Sequence, residues 1–300
     1  MTIVHMIPSV LMIVSPILIA AAGGMVCERS GVVNIALEGL MQVGAFSAAA
    51  AHVLMEGVVP ASPWIALLVA AFFGMLVSLI HAYAAVSLGA DQTISGTGIN
   101  LLANGVTIFC SQVLFAADRT RPYRVGMLPG VDGIYPTVYV AAAVVLVTWF
   151  VLYRLPFGLR LRACGEHPGA AASVGIHVVR VRYIAVLASG FLAGLAGGCL
   201  VLTETIQYTS NTINGAGFIA LAAVSFGRWR PLGITLASLL FGAAVAFAIY
   251  VVNIPALHHV LPSEFFSLLP YMITLAALVV FSGKNYAPRA SGKPYERGAS

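Results

Sequence analysis

Charge is scarce in this chain. Of its 300 residues, 8% are Asp, Glu, Lys or Arg and only 10 are acidic. An ordinary soluble domain carries about 25% charged residues, so a particle wetted on all sides is excluded. Cysteine is scarce too: Cys27, Cys110, Cys164 and Cys199 show no CxxC spacing. That excludes a disulfide framework or a metal site, and the four read as small core residues. No GxxxxGK[ST] phosphate loop occurs; the two Gly-Lys pairs continue as Gly-Lys-Asn and Gly-Lys-Pro. ATP hydrolysis by the usual means is therefore excluded. HExxH, GxSxG and close intramembrane carboxylate pairs are missing as well, which disfavours an intramembrane hydrolase. The opening MTIVHMIPSV lacks a basic stretch, so its apolar run is expected to be retained rather than cleaved.

What is present is apolar: 60% of residues, with mean hydropathy +0.97. Runs of about 20 apolar residues recur, each enough to cross a hydrocarbon core of about 30 Å. The fold class is all-α, a polytopic transmembrane bundle of about nine spans (eight to ten). They fall at roughly 7–26, 32–52, 63–88, 93–115, 136–154, 183–203, 209–226, 232–251 and 265–282. The seventh, TSNTINGAGFIALAAVSF, is polar in its first half and reads as a broken or cavity-lining helix. Residues 1–282 form a single membrane domain and 283–300 a basic tail.

With nine spans the termini face opposite sides. A cytoplasmic C-terminus puts Arg29, Arg154, Arg160, Arg162, Arg180, Arg182, Arg228, Arg230, Lys284, Arg289, Lys293 and Arg297 inside. Only Arg119, Arg121 and Arg124 are then outside. The positive-inside rule selects that orientation, N-out and C-in. The net charge of +5 follows topology and points to membrane lipid, not nucleic acid. Trp64, Trp149 and Trp229 near span ends read as interfacial anchors.

The longest inner segment, 154–182, reads RLPFGLRLRACGEHPGAAASVGIHVVRVR. Its centre predicts a short helix beginning near Pro168. The segment is either an ordinary basic loop or a docking element for a cytoplasmic partner.

Two polar features interrupt the spans. In RSGVVNIALEGLMQVGAF, Glu38 is the one acid well inside a span; Glu56, Asp91 and Glu204 lie at span ends. Asn34, four residues earlier, would share its helix face. An intramembrane carboxyl costs about 2.5–3.5 kcal/mol, so the pair lines a solute path or makes a helix-to-helix hydrogen bond. In the fourth span Thr93, Thr97, Asn100, Asn104, Thr107 and Ser111 recur every three or four residues, a one-sided stripe. It suits a path for an uncharged hydrogen-bonding solute, or interhelical bonding. Asn211 and Asn214 sit beside the helix-breaking Gly215 and Gly217, where free backbone groups could meet a ligand. Gly190, Gly194 and Gly198 read as a close-packing seam.

Several ordered segments together resemble the inner-membrane permease subunits of ABC importers for simple sugars, nucleosides and branched-chain amino acids. They are ERSGVVNIALEGLMQVGAF at 28–46, SGTGINLLANG at 95–105, LPFGLRLRACGEHPGAAASVGI at 155–176, GAGFIALAAVSFGRWRPLG at 215–233 and SGKPYERG at 291–298. The NIALEG, RWRPLG and GKPYERG forms resemble the nucleoside branch. The resemblance implies a transport subunit, not an enzyme, with no cofactor of its own and ATP used by a separate ATPase. It implies a periplasmic or lipid-anchored solute-binding protein and a second permease, a heterodimer being favoured over a homodimer. Asn34, Glu38, Thr97, Asn100, Asn104, Asn211 and Asn214 would line the path. Gly165, Glu166, Pro168, Ala171, Ala172 and Gly175 would transmit the ATPase movement. The location implied is a bacterial inner membrane. Nucleoside is the expected solute, with sugar, branched-chain amino acid or flavin as alternatives. A proton-coupled secondary carrier built on Glu38 is the rival of another class.

Overall fold

A computed structural model describes residues 7–130, 133–252, 268, 272, 275 and 286–295. Among the described residues ten helices run in chain order: α1 (Ile7–Arg29), α2 (Leu37–Met55), α3 (Ser62–Ala82, continued by a π turn Tyr83–Ser87), α4 (Gln92–Phe115) and α5 (Pro136–Arg154). They are followed by α6 (Pro156–Glu166), α7 (Pro168–Ser173), α8 (Val178–Glu204), α9 (Ala216–Phe226) and α10 (Pro231–Val252). Proline punctuates these starts: α5, α6, α7 and α10 each begin on one. A first-turn proline forfeits no helical bond and brings φ already set. The α4 start is capped instead by Asp91, whose Oδ1 accepts from Thr93 N at 2.8 Å and Ile94 N at 2.9 Å.

Seven of these helices, α1 to α5, α8 and α10, are long and apolar enough to cross a membrane; α9 is apolar but shorter. The protein is multi-pass. Eight of the nine sequence windows coincide with helices, and the ninth, 265–282, lies outside the described residues apart from three isolated positions. The broken seventh window is a finding as well as an expectation: residues 205–215 are non-helical and α9 begins only at Ala216.

The core is built around α8, which lies against α1, α2 and α3. Glycine lets these backbones touch. A Cβ at Gly44 would stand 2.2 Å from Gly194 O, and one at Gly74 would stand 2.6 Å from Gly194 Cα. Gly194 thus sits between α2 and α3, and the 190–194–198 seam works as close packing. At the opposite extreme α4 and α5 are mostly uncovered, with Leu101, Phe109, Val113, Leu146 and Phe150 all exposed.

Candidate functional site

One expectation fails at the start of α2. The window 32–52 is not a continuous helix: residues 31–36 are non-helical and the helix begins at Leu37. This break lies deep in the bundle, since Asn34 Nδ2 donates at 2.8 Å to Ser189 Oγ near the middle of α8. Irregular backbone at that depth must find protein partners, and it does. Val33 N donates to Gln92 Oε1 at 2.7 Å, and Val33 O meets His81 Nε2 at 2.9 Å. Ile35 O accepts from Asn100 Nδ2 at 3.0 Å, and Ala36 N donates to Asn34 Oδ1 at 3.2 Å. Three side chains from α3 and α4, with Asn34 of the break itself, therefore hold it.

Asn34 and Glu38 consequently do not share a helix face. Asn34 is fully buried against α8. Glu38 occupies the first turn of α2 and turns the other way, to the second break. Its Oε1 accepts from Gly215 N and its Oε2 from Gly217 N, each at 2.8 Å. The carboxylate of one helix thus caps the N-terminus of another, 177 residues away. Helix N-termini carry partial positive charge, so the ionised form is the one this geometry serves. Gly217 is required by contact: a Cβ there would fall 2.5 Å from Glu38 N and Cα. Gly215 is required by conformation, with φ +84°, following Asn214 at φ +47°.

From Glu38 a polar wall climbs α2 and α4. Asn100 Oδ1 accepts from Gly39 N at 2.8 Å. One turn on, Gln42 Nε2 reaches Asn104 Oδ1 at 3.3 Å and Ser210 O at 3.4 Å. Above it the buried Tyr208 donates to Thr107 Oγ1 at 2.9 Å and meets Phe46 edge to face. The structure therefore brings together Glu38, Asn100 and Asn104, and adds Gln42 and Tyr208, which sequence reasoning missed. Gln42 stands four residues after Glu38, so helical spacing could have found it. Asn104, Asn211 and Asn214 are exposed; Asn211 follows Ser210, whose carbonyl Gln42 reaches, and Asn214 precedes Gly215. Thr97 is exposed too, and its hydroxyl donates to Thr93 O of its own helix. Asn34 does not join them.

Glu38 is also not the only enclosed acid. Glu28, in the last turn of α1, is buried and accepts from Trp229 Nε1 at 2.5 Å. That tryptophan is buried, so it is no interfacial anchor. Glu204 Oε1 at the end of α8 is enclosed without a hydrogen-bond partner among the described residues.

The segment 154–182 folds as α6 and α7, with Pro168 opening α7 as expected. Gly165 and Ala171 face inward; a Cβ at Gly165 would stand 2.2 Å from Arg29 O. Glu166 approaches Arg29 at 3.9 Å. Pro168 and Ala172 are half-buried, and Gly175 is exposed with φ +85°. The surface left open belongs to His167, Gly169, Ala170, Ser173 and Val174.

At the opposite end, loop 116–130 is bound to the second break. Thr120 N donates to Tyr208 O at 3.1 Å and Tyr123 N to Ile206 O at 2.9 Å. The Tyr123 hydroxyl donates to Val201 O and Thr205 O, and burial pushes its pKa up to about 12.

Two helix breaks joined by a half-buried carboxylate, a polar row along α2 and α4 and an outlying helical pair make up the site. Comparison with known proteins decides the family. Residues 6–278 match the family described as branched-chain amino acid transport system / permease component. The chain belongs to that family. As a member of this permease family it is a transport component, not an enzyme. Among relatives, the guanosine ABC transporter permease protein NupQ of Bacillus subtilis is 41% identical, over 97% of this chain and 96% of its own. The nucleoside ABC transporter permease protein NupC of Lactococcus lactis is 37% identical, over 94% and 93%. The guanosine ABC transporter permease protein NupP, also of B. subtilis, is 25% identical over 96% and 84%.

Proposed function

We propose that this permease carries nucleosides inward across a bacterial plasma membrane, as one membrane subunit of an ATP-binding-cassette importer. The observation that carries the reading is near full-length similarity to two relatives named for guanosine and for nucleosides. The wall of Glu38, Gln42, Asn100 and Asn104 supports it, because amides and a carboxylate suit a neutral solute rich in donors and acceptors. Thr97, Asn211 and Asn214 extend that wall, and Asn34 supports it from behind.

A separate cytoplasmic ATPase supplies the energy, and this chain binds no cofactor. The open surface of α7 docks in that ATPase, while Gly165, Glu166, Pro168, Ala171 and Ala172 fix the docking helices to the bundle and the exposed Gly175 turns the chain after α7. The orientation is N-out and C-in. A periplasmic or lipid-anchored binding protein delivers solute at the loop carrying Arg119, Arg121 and Arg124. A second permease covers the open side of the wall. It is an unlike chain: two distinct guanosine permease proteins of one organism both match this one.

The test is reconstitution with the ATPase, the second permease and the binding protein, supplied with labelled guanosine, glucose, leucine and riboflavin. Guanosine uptake that stops with vanadate and survives a protonophore is the expected result. Vanadate-resistant uptake that collapses with the proton gradient would make it a secondary carrier instead. Uptake of another solute alone would reassign the substrate.

A further inference from the structure

Residues 286–295 of the tail lie against the end of the bundle that holds α6. Their contacts run in order. Tyr286 stacks under the Arg228 guanidinium of the α9–α10 turn at 4.6 Å. Ala290 N donates to Gly165 O of α6 at 2.9 Å. Gly292 N donates to Gly31 O, the first residue of the α2 break, at 3.3 Å. Lys293 O accepts from Arg182 Nη1 of α8 at 3.1 Å, and Arg182 also lies over the Tyr295 ring at 6.0 Å.

Two features make this more than a draped end. Arg182 is fully buried, and its Nε and Nη2 have no hydrogen-bond partner among the described residues. Its hydrogen bond to the tail is therefore its one such bond there, and a buried guanidinium stripped of it is costly. Second, everything converges on Gly31. With φ +92°, a Cβ there would stand 2.8 Å from Arg182 Nη2, 3.3 Å from Ala290 O and 3.4 Å from Gly165 Cα. The tail, α6, α8 and the break that leads to Glu38 meet within one residue.

We propose that residues 286–295 are a strap that carries movement of the docking helices α6 and α7 to the 31–36 break and so to Glu38, with Arg182 as its buried positioning residue. The strap adds a hydrogen-bonded link from Gly165 to Gly31, one hydrogen bond to each, two residues apart on an irregular stretch, to the packing of Gly165 on Arg29 and Gly31. Pulling α6 outward displaces Ala290, and Gly292 and the break follow it. This rests on the transport reading given above.

The test compares three variants in the complete reconstituted assembly: deletion of 286–300, Arg182→Ala and Arg182→Lys. Uptake should fall about tenfold or more in the first two while the ATPase still co-purifies and hydrolyses ATP. Arg182→Lys, which keeps a donor and a charge, should recover part of that loss. Trypsin cleavage after Arg289 in the purified assembly should be about tenfold faster in Arg182→Ala than in the wild type. Wild-type uptake tests the transport reading, whereas the cleavage assay needs no transport and tests the strap alone. Unchanged uptake in the deletion, or unchanged cleavage in Arg182→Ala, overturns the proposal. Loss of membrane insertion or of ATPase binding in Arg182→Ala overturns it as well, since the tail would then serve folding or docking.

Discussion

Glu38 uses both carboxylate oxygens, one on Gly215 N and one on Gly217 N. Glutamine offers one acceptor and turns an amide NH2 against the other N–H. Glu38→Gln should therefore lose a charge-assisted bond of about 1.5–3 kcal/mol and lower uptake about tenfold or more, read as guanosine uptake per inserted transporter. Wild-type uptake in Glu38→Gln would mean that one cap bond suffices. Trp229→Phe makes a second test, because it leaves buried Glu28 without its donor. A destabilisation of about 1–3 kcal/mol, seen as a lower thermal midpoint in detergent, is expected with insertion intact. That Glu38 stands apart was legible in the sequence: a lone acid in an apolar run. Its partners were not, because they are backbone N–H groups, and backbone looks alike in every residue.

Among elements, the spans were legible and their interruptions only half so. Residues 205–215 announce a break by Ser, Thr, Asn and Gly. Residues 32–36, VVNIA, carry no proline or glycine, and their apolar composition is that of a span. What holds them open is His81, Gln92 and Asn100, and no local pattern contains those partners. The four-residue Asn34–Glu38 spacing misled for the same reason: it has helical meaning only where there is a helix. The close-packing face of α8, by contrast, follows from the spacing of Gly190, Gly194 and Gly198, while its partners α2 and α3 come from the structure. Gly194→Val should overpack it by about 1–3 kcal/mol or more, so that little folded protein accumulates in membranes. On the docking pair, Val174→Asp should spare insertion and abolish ATPase co-purification, since Val174 is 74% exposed on the open surface. If the ATPase stayed bound, α7 would not be its contact.

For the molecule as a whole, α4 is covered on its polar side by α2 and left bare on its apolar side, with Asn104 at the edge. On the transport reading proposed above, a second subunit closes the edge at Asn104. Affinity purification from native membranes should therefore recover an ATPase, a binding protein and an unlike permease. Recovery of this permease only with itself would replace the heterodimer by a homodimer. The multi-pass membrane class was visible in composition, while the assembly is implied only by resemblance, because one chain's surface does not name its neighbour.

The break before α2 also bears on how the protein is made. Its backbone groups rest on residues 81, 92 and 100, Asn34 rests on residue 189, and Glu38 serves residues 215 and 217. All of these leave the ribosome later than the segment they support. A helix whose bonds are internal can settle in lipid alone, but a deep irregular stretch cannot. Residues 31–38 must therefore wait in water, at the interface or under an insertion factor until α8 has arrived. Nascent chains halted before residue 189 should expose the 31–36 stretch to protease, and chains halted after residue 252 should protect it.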